Sequence, residues 1–307
     1  MTPSQRPPLT LISFSGQLYS TKRLLEAATL QSLSPTRVDP TRVLLRHGGP
    51  GAPPVVTEDG RPLPVPEVIL PRVGSRMTPW SLALMRTWMA AGARSPVKPG
   101  AIGRAMDKIA ASQRLAARGL PVLPTVAIRE RWHIEDALNA TGGDQWVLKT
   151  RSGTQGRGVV LAPTRAAARS MLEVMIGHRH DIILVQPYVR MTRPRDLRVL
   201  VLGGEAVAAC WRSAPAGEFR ANVHRGGAVS EARLDDELAA LAQAAAAAVE
   251  VPFCGVDLME TPEGWVVLEV NGSPGLEGIE AATGRDLATA YVKRWMAAAR
   301  AEASEAR

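Results

Sequence analysis

Lys149 closes the apolar stretch Trp146-Val147-Leu148 and is followed by Thr150-Arg151-Ser152-Gly153-Thr154-Gln155-Gly156-Arg157-Gly158. Glycines let backbone N–H groups approach anionic oxygens, and the ammonium adds a point charge suited to phosphate. The spacing is neither GxxxxGK[ST] nor GxGxxG, and a second apolar stretch follows rather than a helix. Taken alone, the segment reads as a flexible hairpin with a surface lysine. A second group is Glu269-Val270-Asn271, with Asp257 on the preceding stretch. Residues two apart on a strand share a face, so Glu269 and Asn271 point the same way, with Asp257 across a hairpin. Two carboxylates and an amide oxygen suit a hard cation that keeps water and phosphate oxygens. The alternative is a solvated sheet face, but Asp257 and Glu269 both lie among apolar neighbours, where carboxylates are costly unless paired or metal-bound.

Three further groups are weaker. Lys108 falls in a helical pattern and alone reads as a solvated helix residue. Arg195-Asp196-Leu197-Arg198 mixes both charges on a strand. Arg220, Asn222, His224, Arg225, Gly226 and Gly227 lie in a polar, Gly-rich stretch with the composition of a mobile substrate lid.

These residues need elements to hold them. Leu9–Phe14, Val43–Leu45 and Val68–Leu70 read as strands, alternating with helices over Tyr19–Leu30 and about Pro79–Ala91, which argues for a parallel sheet. Pro96 to Gly100 is a plausible boundary. One amphipathic helix is expected from Gly103 to Arg118, with Ile102, Met106, Ile109 and Leu115 at helical spacing. Strands follow at Val122–Ile128, Gln145–Lys149, Gly158–Ala162 and Ile182–Gln186, with helices over His133–Asn139 and Arg165–Ile176. Strands at Leu197–Leu202 and Ala206–Trp211 meet at Gly203-Gly204. A loop is expected from Ser213 to Ser230, then an Ala-rich helix over Asp235–Val249, strands Gly255–Glu260 and Trp265–Asn271, and a helix from Asp286.

Composition narrows the classes. The 307 residues suit about two domains at the usual domain size. Apolar content of 46% excludes a disordered polyampholyte, and two cysteines exclude a disulfide scaffold. No apolar run approaches the roughly 20 residues of a membrane span, and residues 1–8 lack a signal-peptide apolar region. A cytoplasmic protein is expected. The net charge of +8 permits nucleic acid, an anionic surface or acidic small substrates as partners. Lysines number only five, against 32 arginines, and codon bias accounts for most of that excess.

The linear order is helix lysine, strand lysine, Gly-rich hairpin, Asp-x-Arg, Arg-x-Asn loop, Asp, then Glu-x-Asn. In this order the chain resembles the ATP-grasp ligases, and more narrowly the RimK-type α-L-glutamate ligases. Leu18–Leu24, Pro71-Arg72-Val73-Gly74, Gly153–Gly156 and Phe219–Gly227 all look like that family, and Glu269–Glu280 is the most specific stretch. The resemblance covers about Leu11 to Trp295. It implies an α/β (α+β ATP-grasp) fold in three parts: a pre-ATP-grasp domain over 1–98, a subdomain with the Gly-rich phosphate loop over 99–186, and a C-terminal subdomain with the metal site over 187–307.

By the same resemblance, Lys108 and Lys149 would contact ATP phosphates and Gly153, Thr154, Gln155 and Gly156 would close over them. Gln186, Pro187, Tyr188 and Val189 would face the adenine, and Asp196 the ribose. Asp257, Glu269 and Asn271 would hold magnesium or manganese, as two ions. Arg198 and Arg220, with Asn222, would steady the transferring phosphoryl group. Lys22, Arg23 and Arg72, with His224, Arg225, Gly226 and Gly227, are candidates for holding substrate. A carboxylate would attack ATP to give an acyl phosphate, which the amine of glutamate or a related amino acid would then open to an amide. The acceptor would be an acidic protein or peptide tail, or in the alternative a small molecule or carrier protein. A homo-oligomer is expected by the same analogy.

Phosphoryl transfer needs positioning and charge neutralisation more than covalent help, so no nucleophilic Ser or Cys is expected. The chain departs from the family at Pro187, where glutamate is usual and where proline removes a backbone donor. It departs again at Ser152, where an acidic residue is expected, and at Arg212–Gly217, which is less basic than its counterpart. The rival class is a basic ribosome- or RNA-binding protein without catalysis, whose binding would fall steeply with salt. An aromatic content of 4% argues against single-strand stacking surfaces.

Overall fold

The computed structural model describes residues 8–48, 55–74, 77–151, 158–179, 182–191, 194–215, 218 and 227–305. Strands β1 (Leu9–Ile12), β2 (Pro35–Val38) and β6 (Ile69–Pro71) form a parallel sheet in the order β2-β1-β6. β1 and β6 are fully buried, as expected of a sheet covered on both faces. Helix α1 (Tyr19–Leu30) buries Thr21, Leu24, Ala27 and Ala28, spaced to make one stripe. Strands β3 (Val43–Arg46), β4 (Val55–Glu58) and β5 (Arg61–Pro62) make a small antiparallel sheet, and α2 (Thr78–Ala90) follows.

The helix expected over Gly103–Arg118 is two helices, α3 (Pro99–Met106) and α4 (Lys108–Ala117). Asp107 separates them with an extended backbone. Its side chain accepts from the amides of Ile109 and Ala110, so a cap interrupts a hydrophobic period that itself runs on unbroken.

The next unit is an antiparallel sheet in the order β7-β10-β8-β9, from β7 (Val126–Ile128), β8 (Trp146–Thr150), β9 (Val159–Ala162) and β10 (Ile183–Pro187), with α5 (Ile134–Thr141) and α6 (Arg165–Arg179). Ile128, Leu138, Trp146, Leu148, Leu172 and Val185 belong to its own core. The last unit is a five-stranded antiparallel sheet, β13-β12-β11-β14-β15. It is built from β11 (Arg195–Leu202), β12 (Glu205–Ser213), β13 (Ala228–Glu231), β14 (Phe253–Thr261) and β15 (Gly264–Asn271), with α7 (Asp236–Val249), α8 (Glu277–Thr283) and α9 (Leu287–Glu305). β13 and α8 lie where no element was expected, and β12 runs two residues past Trp211.

The core of this sheet is continuous with that of the N-terminal unit. Leu11, Ile69 and Met85 belong to one cluster with Val199, Phe253 and Trp295. The Trp295 indole N–H donates to the Ile69 carbonyl at 3.0 Å. The described residues therefore gather in two apolar cores, and the separate one draws on residues between Val126 and Val185. No helix among the described residues is long and apolar enough to cross a membrane.

Candidate active site

Asp107 is the starting point, because capping by its side chain puts Lys108 at the first position of α4. Its carboxylate also accepts from Arg151 at 2.6 and 3.0 Å, just beyond β8. The Lys108 amide donates to the Arg151 carbonyl at 3.3 Å. The Lys108 ammonium lies 3.7 Å from Glu269 Oε1 on β15.

Lys149, on β8, feels both charges. Removal of its ammonium from water pushes its pKa down to about 8; Glu269 draws it up and Lys108 lowers it further. Two lysines and a carboxylate from three elements thus converge between the two cores. At the base of the glycine-rich hairpin, Gly158 has φ +74° and its amide carbonyl accepts from Thr150 N at 2.9 Å. A Cβ there would stand 2.3 Å from Thr150 Oγ1, so only glycine fits. Gly153, Thr154, Gln155 and Gly156 lie outside the described residues.

The C-terminal sheet supplies a network of opposite charges. The register places Arg198 opposite Asp257, Asp196 opposite Arg212, and Asp257 opposite Glu269. Arg198 donates through Nε and Nη2 to the two Asp257 oxygens, each at 2.8 Å. Arg212 bridges Asp257 Oδ2 at 2.9 Å and Asp196 Oδ1 at 2.5 Å. Burial alone would raise the pKa of Asp257, but Arg198 and Arg212 outweigh it and hold the carboxyl below its usual range. For Asp196 burial wins, and its pKa is raised. Gly255 makes room for this packing: a Cβ there would lie 3.1 Å from Pro274 and 3.4 Å from Arg198 Nε.

Opposite β14 the pairing of β15 passes from Glu269 to Val267 and skips Leu268. Such a bulge re-aims the side chain beside it. Asn271 Oδ1 accepts from the Ser273 amide at 2.9 Å. Asp257, Glu269 and Asn271 therefore share one face and offer oxygen alone.

These oxygens fit a hard cation. A carboxylate has about four lone-pair sites, and Arg198 and Arg212 use three of those on Asp257, which leaves one on Oδ1. Glu269 and the second lone pair of Asn271 Oδ1 complete the set. Among the described residues no three His, Cys, Asp or Glu side chains cluster as a metal site by themselves, so phosphate oxygens and water would have to supply the remaining ligands. Four cationic side chains (Lys108, Lys149, Arg198, Arg212) face three carboxylates (Asp196, Asp257, Glu269), which disfavours a bare cation.

Arg212 is the functional residue that the sequence reading missed as a participant. Ser213-Ala214-Pro215 after it reads as loop, whereas β12 extends to Ser213. Counting back through the Gly203-Gly204 turn puts Trp211 opposite Asp196; a bulge that skips Val207 shifts the register by one residue and brings Arg212 there instead, so the sequence held no simple signal for it.

The remaining candidates spread out. Gln186 is buried and donates through Nε2 to Thr125 Oγ1 at 2.7 Å. Pro187 ends β10 opposite Trp146, and the Tyr188 amide donates to the Gln145 carbonyl at 2.9 Å; Val189 follows, partly buried. Lys22 is exposed, 4.0 Å from Glu26. Arg23 pairs with Glu26, Glu280 and Asp286 and ties α1 to α8 and α9. Arg72 is buried and donates to the Pro274 carbonyl at 2.7 Å. Arg220, Asn222, His224, Arg225 and Gly226 lie outside the described residues, and Gly227 immediately precedes β13. Both cysteines are buried, and burial pushes Cys210 up to about 11, away from a reactive thiolate.

Known proteins resemble this chain along most of its length. The profile described as the RimK PreATP-grasp domain matches residues 8–102, and that of the RimK-like ATP-grasp domain matches residues 105–295. A probable alpha-L-glutamate ligase 2 of Pseudoalteromonas atlantica is 39% identical over 285 residues, which cover 93% of this chain and 94% of that protein. Among solved structures, the ATP-grasp ligase PsnB, complexed with a phosphomimetic variant of its minimal precursor, Mg and ADP, aligns with TM-score 0.73. It is 17% identical over 95% of this chain and 98% of that one. D-cycloserine synthetase DcsG aligns with TM-score 0.70 at 20% identity, over 95% of this chain and 99% of that one.

Proposed function

The chain belongs to the RimK-like ATP-grasp family of ATP-dependent ligases that form C–N bonds, and from that premise we propose that it joins glutamate, or a related amino acid, to the carboxylate of a protein or peptide acceptor. The observation that carries this reading is the convergence of Lys108 and Lys149 on Glu269, beside Asp257 clamped by Arg198 and Arg212.

In this reading Lys108 and Lys149 take the ATP phosphates, and Asp257, Glu269 and Asn271 hold magnesium or manganese. The cation would neutralise phosphate charge and orient the γ-phosphoryl group. Arg198 and Arg220 meet the charge that spreads over that group as the acceptor carboxylate attacks it. Arg's planar fork suits both phosphoryl and carboxylate oxygens. The amine then attacks the acyl phosphate, an amide forms, and phosphate leaves. At the phosphate positions lysine supplies a compact point charge, which the broader fork of arginine does not replace without cost.

Incubation with ATP, Mg²⁺, glutamate and a panel of acceptors, read by intact mass, tests the proposal. Acceptor mass should rise by whole glutamyl residues, with matching ADP and phosphate. Glu269→Ala should abolish that turnover, and undiminished turnover in this variant would sink the reading. Small-molecule and carrier-protein acceptors in the same panel separate the alternative acceptor class.

A further inference from the structure

Arg72 follows β6, in the N-terminal unit. Its amide donates to the Ile12 carbonyl at 2.8 Å, so its backbone is fixed to β1. The side chain reaches across to the loop after β15, where Nη2 donates to the Pro274 carbonyl at 2.7 Å. Only 9% of the residue is exposed. Nη1 is buried with no hydrogen-bond partner among the described residues, so solvent does not reach it, and neither does a ligand in this conformation. A desolvated guanidinium with an unpaired N–H is costly, and a methionine of similar length would fill the space without that cost. Burial lowers the pKa of the guanidinium, while Tyr291, which it also faces, favours the cation. Its hydrogen bond out of the N-terminal unit to the loop after β15 is the one to Pro274.

That bond bears on the candidate site through short links. Asn271 Oδ1 holds the Ser273 amide at 2.9 Å. Pro274 Cβ packs over Gly255, in the same space that Arg198 Nε occupies. Beyond Pro274, the Leu276 amide donates to Ser20 Oγ at 2.9 Å, a second attachment to the N-terminal unit. The loop leaving Asn271 is therefore pinned from outside its own sheet.

We propose that Arg72 is a positioning residue: by holding the Pro274 carbonyl, it sets the orientation of Asn271 toward a divalent cation, and it does not itself take substrate. The proposal rests on the reading of Asp257, Glu269 and Asn271 as the cation site. Groups bonded directly to a metal ligand typically govern metal affinity by 10- to 100-fold; Arg72 acts through one such group, the Ser273 amide, so the low end of that range applies.

The test titrates Mn²⁺ by electron paramagnetic resonance into the full chain with a non-hydrolysable ATP analogue present. Arg72→Met should raise the Mn²⁺ dissociation constant about tenfold, with analogue affinity in the absence of metal unchanged. Arg72→Lys, which can still donate to Pro274, should recover most of the loss. Gln31→Ala removes a different contact between the units, from Gln31 Nε2 to the Thr289 carbonyl, and should leave Mn²⁺ affinity as in the wild type. Should Arg72→Met fail to fold, Arg72→Gln, too short to hold Pro274, gives the same readout. Wild-type Mn²⁺ affinity in the Arg72→Met or Arg72→Gln variant, or an equal loss in Gln31→Ala, would overturn the inference. If the wild type binds Mn²⁺ no better than Glu269→Ala does, the cation-site reading itself fails instead.

Discussion

Lys149 carries a charge that its surroundings resist. Its pKa is pushed down to about 8, first by burial and then by Lys108, with Glu269 opposing. On the proposed reading phosphate takes this ammonium, so nucleotide affinity should be level below that value and weaken as the lysine loses its proton above it. A titration of ADP without metal, between pH 6 and 9.5, should show affinity falling by up to about tenfold per unit above the inflection. Lys149→Met should bind more weakly and show no inflection near 8. A wild-type profile that is flat through pH 9.5, or an inflection that survives in Lys149→Met, would contradict the placement of this lysine against phosphate. The residue types themselves were readable in advance, because period-two spacing puts Glu269 with Asn271 and Asp196 with Arg198. Their partners were not. Asp257 depends on two arginines, and Arg212 reaches it only through the register of a long hairpin.

At the scale of elements, the break between α3 and α4 matters most. Apolar residues continue at helical spacing through Ile102, Met106 and Ile109, so hydrophobic periodicity alone cannot reveal it. The cause is local: Asp107 satisfies the amides of Ile109 and Ala110 and binds Arg151. Capping places Lys108 at the start of a helix and aims it at β15. Asp107→Ala should lower stability by about 1 kcal/mol, the usual cost of a lost cap, and should weaken ATP binding by misplacing Lys108. Asp107→Asn keeps the capping oxygen without the charge. Chemical denaturation should find it close to the wild type, because Arg151 is half exposed and such an ion pair contributes little. If the asparagine variant lost as much stability as alanine, the ion pair rather than the cap would be holding the break. Strand β13 and helix α8 went unread for a different reason: they are short, and their packing on β12 is long-range, beyond any local pattern.

At the scale of the whole molecule, the described residues gather in two apolar cores, and the candidate site draws side chains from both. The N-terminal and C-terminal units share one apolar cluster, so the groups at Asp257, Glu269 and Arg72 sit on a single body. Lys149 belongs to the other body, whose core is much smaller. A bound nucleotide that touches Lys149 on one side and Lys108 and Glu269 on the other would link them. A ligand that binds only the folded state stabilises it by about 2.7 kcal/mol at a hundredfold excess over its dissociation constant. The smaller core should open first, since regions with fewer buried apolar contacts occupy the low end of local stability. Hydrogen exchange should therefore show β8 and β10 exchanging faster than β11 and β14 in the free protein. An ATP analogue with Mg²⁺ should slow exchange in β8 and β10 far more than in β11 and β14. In Lys149→Met that selective protection should be largely lost, while exchange in β11 and β14 stays as in the wild type. Equal protection of both sheets by the analogue would mean that the two cores already unfold as one unit, and the nucleotide would then be an occupant of the cleft rather than the link that joins its walls.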